Sequence, residues 1–193
     1  MISKISSSHV LRQIITASLG TGIGLLLLDP VQIAQAQSRL SVEECNQFAE
    51  IINRNGEVFE AFEAEINNFS RDASAAETVE DITLAASHYV DAVDEVMGTL
   101  SNMAFDLQAL PFDDAELMTY QQDYVDVLSG LNEALTVISD AMDEVAKAES
   151  EAELSEKLGL LRDDTIGASE NIETLANNES EIVTSFNGYC SAG

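Results

Sequence analysis

Two cysteines, one histidine of interest and several knots of carboxylates are the residues here whose chemistry is worth testing first. Cys45 and Cys190 are the sole thiols, one near each end of the chain. An even pair in a protein that leaves the cytoplasm reads as a structural disulfide rather than as a nucleophile or a metal ligand. The acids gather locally: Asp91, Asp94 and Glu95, then Asp140, Asp143 and Glu144, with further groups at Asp113, Asp114 and Glu116 and at Asp163 and Asp164. Calcium takes six to eight oxygen ligands, so such knots are weak candidates for loose calcium binding. No EF-hand spacing organises them, and the plainer reading is a solvated acidic face. His88 lacks the Glu-x-x-His context of a di-iron bundle, since Ala85 occupies the required position. No Gly-x-Ser-x-Gly, no glycine-rich phosphate loop and no Cys–His pairing signal appears. The sequence therefore names no catalytic residue and no cofactor, and the expected class is a protein that is not an enzyme.

Positioning the two thiols requires long-range order, and the hydrophobic pattern supplies it. Apolar residues recur at alternating spacings of three and four, the period of amphipathic helices. The first stripe runs through Cys45, Phe48, Ile52, Phe59, Phe62, Ile66 and Phe69, and the second from Val79 to Leu107. The third runs from Leu117 to Val145, and the fourth from Leu154 to Phe186. Each keeps a near seven-residue repeat, which suits helices crossing at shallow angles. Four capping-box spacings precede the stripes: Ser41 with Glu44, Ser74 with Glu77, Asp113 with Glu116 and Ser150 with Glu153. Together they predict helices over about 41–70, 74–107, 113–146 and 150–187. Asn55-Gly56 is a turn signal inside the first of these and a place for a kink. Short links make neighbours antiparallel, so the expected fold is an all-α, antiparallel up-down four-helix bundle. In that topology the first helix starts where the fourth ends, and an N-to-C-terminal disulfide closes the bundle.

The N-terminal 36 residues have a different character. Lys4 and Arg12 precede an apolar run from Ile14 to Leu28, followed by Ala34-Gln35-Ala36. This is the layout of a cleavable secretory signal, with the cut between Ala36 and Gln37. The apolar run is about 15 residues, short of the ~20 needed to cross a bilayer as a helix. The expected organisation is thus a signal over 1–36 and a single domain over 37–193, in the periplasm or outside the cell, with no membrane span once the signal is gone.

Charge narrows the partners. The chain holds 8 Lys and Arg against 35 Asp and Glu. Residues 1–36 contribute Lys4, Arg12 and Asp29, so the remainder keeps 6 basic and 34 acidic residues, a net charge of −28. Such a surface repels nucleic acid and anionic lipid and favours cations or a basic protein partner. Recurrent apolar residues set it apart from a disordered acidic tail.

Overall fold

The computed structural model describes residues 31–192, with side-chain detail from 42 to 191. The signal expected over 1–36 lies outside the described residues except for its last stretch, whose backbone is helical. Among the described residues four helices make up the fold: α1 (Val31–Ala75), α2 (Val79–Gln108), α3 (Ala115–Ala146) and α4 (Glu151–Ala192). Sequence neighbours run antiparallel and pack along their lengths. Their stripes merge into one core in which Phe48, Leu100, Leu117 and Tyr124 are fully buried. Burying large side chains of this kind is worth roughly 1.5–3 kcal/mol each. Extensive packing between sequence neighbours follows from the heptad spacing, because a stripe of period near 3.5 keeps facing its neighbour for many turns.

Several boundaries differ from those the local signals predict. α1 begins at Val31, not near Ser41, because residues 31–40 are mostly good helix formers and continue the turn. Glu44, expected to close a cap with Ser41, instead accepts from the backbone N–H of Asp113 at 3.0 Å, tying the start of α3 to α1. α1 also runs past the link expected at residues 70–73, and Ser74 turns its hydroxyl back onto the carbonyl of Ser70. The cap of α2 is Thr78. Its side chain accepts from Asp81 N–H at 3.1 Å while the Asp81 carboxylate accepts from Thr78 N–H at 2.9 Å, a complete reciprocal box. Thr78→Ala is therefore expected to cost about 1 kcal/mol, and Ser74→Ala less than about 0.5 kcal/mol, in urea denaturation. α3 is capped by Asp114 rather than Asp113, its carboxylate accepting from Glu116 and Leu117 N–H at 2.9 and 3.0 Å. The fourth signal falls where expected in its forward half, with Ser150 Oγ accepting from Glu153 N–H, while the Glu153 carboxylate accepts from Glu149 N–H, one residue ahead of the cap.

The α2–α3 link contains Pro111 and is closed by a side chain. Gln121 of α3 donates to the carbonyls of Leu107 and Leu110, which also accept from the backbone N–H groups of Leu110 and Phe112, so the side chain ties α3 to the turn that ends α2. Among Gly98, Gly130, Gly159 and Gly167, only Gly130 marks a close approach. A Cβ there would lie 2.8 Å from the Leu175 side chain, so the missing side chain lets α4 settle against α3. α1 continues through Asn55-Gly56 as unbroken helix.

Cys45 and Cys190 form a disulfide with Cα atoms 6.0 Å apart, linking the early part of α1 to the end of α4. Around it the rings interlock edge to face: Phe48 meets Phe112, Tyr124 and Phe186, and Tyr120 meets Phe186. Such arrangements add about 0.5–1.5 kcal/mol per pair beyond area burial. Over their whole lengths α1 and α4 approach one another closely at only a few positions.

Candidate functional site

The densest polar chemistry inside the bundle joins three helices. Asn55 of α1 is 1% exposed. Its Nδ2 donates to Tyr124 Oη of α3 at 3.1 Å and to Glu179 Oε1 of α4 at 2.7 Å. Tyr124 Oη donates to the same carboxylate oxygen at 2.7 Å. An ionised carboxylate only accepts, so Glu179 fixes the direction of both bonds and turns the Asn55 amide nitrogen toward itself. The amide oxygen, Asn55 Oδ1, is then buried with no hydrogen-bond partner.

Electrostatics around the cluster favour a held proton on the phenol. Burial first, and the negative charge of Glu179 second, push the Tyr124 phenol well above its ordinary range. At the same end Tyr189 is pushed up to about 12, by its hydrogen bond to Asp114 and then by burial. That bond also lowers Asp114, after the larger effect of the Leu117 N–H. Tyr89 and Tyr120 are raised too, each chiefly by burial. All four tyrosines of the chain therefore ionise more easily unfolded than folded. Their contribution to stability is complete below pH ~10 and is lost as pH rises through the raised folded values. An ultraviolet titration is expected to show phenolate appearing late, together with loss of helical circular dichroism. Four phenols titrating independently near pH 10 in a still-helical protein would contradict this.

The expected cation ligands occupy different surroundings. Asp91, Asp94 and Glu95 are exposed on α2, with Asp94 accepting from the buried Ser139 hydroxyl of α3 at 3.5 Å. Asp140 is exposed on α3. Asp143 and Glu144 are engaged by Lys147, and Glu144 also by Lys157 across the α3–α4 turn at 3.6 Å. Among the described residues no group of three or more ligand side chains converges to hold a metal ion. His88 is exposed and borders a depression of about 270 Å³ between α1 and α2, beside Glu65, Arg71 and Asp72.

The basic residues explain why so much negative charge stays unbalanced. Arg54 pairs with Asp106, Arg71 with Asp72, Lys147 with Asp143 and Glu144, Lys157 with Glu144, and Arg162 with Asp163. Every basic side chain in the described range 42–191 is thus already engaged by an acid.

The chain matches no protein-family model, no curated protein and no solved structure. No described helix is long and apolar enough to cross a membrane.

Local patterning does not reveal the Asn55–Tyr124–Glu179 cluster, because Asn55-Gly56 reads as a turn signal within the first helix. The signal was present in the register. Asn55 lies seven residues from both Phe48 and Phe62, and Glu179 seven from Ile172, so both polar residues occupy stripe positions.

Proposed function

We propose that residues 1–36 are a secretory signal cut between Ala36 and Gln37, and that the released bundle works in the periplasm or outside the cell as a non-enzymatic binding module for a basic protein partner. The observation that carries this reading is the engagement of every described basic side chain within the chain itself, which leaves the large surplus of carboxylates to be balanced from outside. A partner with clustered Lys and Arg releases that self-repulsion on binding and is steered toward the surface at a distance. The disulfide supports an oxidising destination.

Thermal melts with calcium, magnesium or sodium chloride at matched ionic strength test the role of the acids. All three salts, and mild acid, are expected to raise the midpoint, because each relieves repulsion among carboxylates. Equal stabilisation by every salt fits a diffuse acidic surface awaiting a basic protein. Stabilisation that saturates at low calcium and exceeds the sodium effect would replace this reading with that of a divalent-cation binder.

A further inference from the structure

One face of α1 changes its cover along the helix. Cys45, Ile52, Phe59 and Ile66 follow each other at seven-residue spacing and so share that face. Cys45 is 8% exposed, Ile52 9%, Phe59 is half-buried and Ile66 reaches 40%. The face of α4 that meets α1 behaves the same way in reverse order. Glu179, which bonds to Asn55, is followed at the same spacing by Ile172, Thr165 and Leu158. Ile172 and Thr165 are half-buried and Leu158 is 39% exposed. Both gradients run away from the disulfide, and the two helices approach each other closely at only a few positions. The bundle is therefore covered on its α1–α4 side at the disulfide end and open at the other.

We infer that this open strip, walled by Phe59 and Ile66 of α1 and by Ile172 and Leu158 of α4, seats an amphipathic helix with a cationic outer face. The inference rests on the proposed reading of the chain as a binder of a basic partner and says where that partner docks. Two antiparallel helices with uncovered heptad positions offer a third helix the contacts they lack for each other, the helix-in-groove mode of recognition. Ile166, 55% exposed on α4, extends the apolar surface. Glu63 and Glu173, both exposed, lie beside the strip by helical phase. Lys157 and Arg162, the nearby cations on α4, are already paired, with Glu144 at 3.6 Å and with Asp163 at 2.9 Å. A second copy of the chain fits this strip poorly, because it brings the same large negative charge to the same place.

The probe is a synthetic helical peptide of about 18 residues, roughly 27 Å long, with leucines on one face, lysines on the other and one tryptophan in the apolar face. The chain has no tryptophan, so emission reports the peptide alone. With the purified chain, saturable one-to-one binding and a blue-shifted emission are expected. Ile66→Glu and Leu158→Glu are each expected to weaken binding at least tenfold although each adds an attractive charge, while Phe105→Glu on α2 leaves it within twofold. Ile66→Ser and Leu158→Ser replace the glutamates if circular dichroism shows lost helix, with the same tenfold expectation. Binding that the strip substitutions leave unchanged or tighten would overturn the docking site and leave the basic-partner reading standing. An absence of binding by the unmodified chain would overturn both. Self-association abolished by the strip substitutions would assign the strip to a second copy and overturn the inference.

Discussion

Replacing both cysteines, as Cys45→Ser with Cys190→Ser, is expected to lower the thermal midpoint by on the order of 10 °C. The bond spans a sequence separation of 145 residues. On the chain-entropy account, closing so long a loop removes up to about 5 kcal/mol of freedom from the unfolded chain. For a chain of this size each kcal/mol moves the midpoint by roughly 2–4 °C. The loss should not be uniform. α1 packs far more extensively against α2 than against α4, to which the disulfide and the Asn55–Glu179 hydrogen bond tie it. Hydrogen exchange in the variant should therefore quicken first in the early turns of α1 and the late turns of α4, and last in α2 and α3. A midpoint within about 2 °C of the parent, a loss of at most about 1 kcal/mol, would mean that ring packing around Phe48 holds this end without the covalent link.

The second large effect is expected at Glu179. Glu179→Ala removes the acceptor for both Asn55 Nδ2 and Tyr124 Oη, which lie at 2.7 Å from the same oxygen. Asn55 Oδ1 is already without a partner, so the substitution adds unsatisfied groups to a place that holds one. Orphaned buried donors cost about 1–3 kcal/mol each, and a total loss near 3 kcal/mol is expected in urea denaturation. Glu179→Gln keeps a carbonyl acceptor and should cost about 1 kcal/mol, as a charged acceptor gives way to a neutral one. Asn55→Ala and Glu179→Ala combined should cost clearly less than the sum of the two, because they break the same bonds. Additive losses would show that the three side chains do not act as one network.

Much of the fold could be read in advance because it rests on repeated signals. Dozens of apolar residues at heptad spacing define four stripes, and short links leave one simple way to lay them together. The disulfide then follows from topology, as Cys45 and Cys190 fall at the same end. Single-residue signals fared worse. Ser74–Glu77 and Thr78–Asp81 have the same spacing, and the choice between them is made by packing: Thr78 sits directly ahead of Val79 and Ile82, which open the core face of α2. Asp113 and Asp114 are adjacent acids, and Glu44 takes the N–H of the first, an interaction across 69 positions that no local pattern contains. Asn55 and Glu179 were hidden by their polarity in stripes searched for apolar residues. The open α1–α4 strip was hidden for another reason. A stripe tells which face of a helix seeks cover, but not whether the neighbour that provides it follows the whole way.

Joining the two ends also changes what a protease can do. The three links are the non-helical segments between helices, where a nick falls more readily than within a helix, and all of them lie between Cys45 and Cys190. A linear chain cut once becomes two molecules. Here a single cut opens a ring, and the pieces stay tethered through the sulfur bridge beside their packed partners. In surroundings where peptide bonds are attacked and thiols are kept oxidised, the same bridge that stiffens the bundle makes its first backbone break survivable.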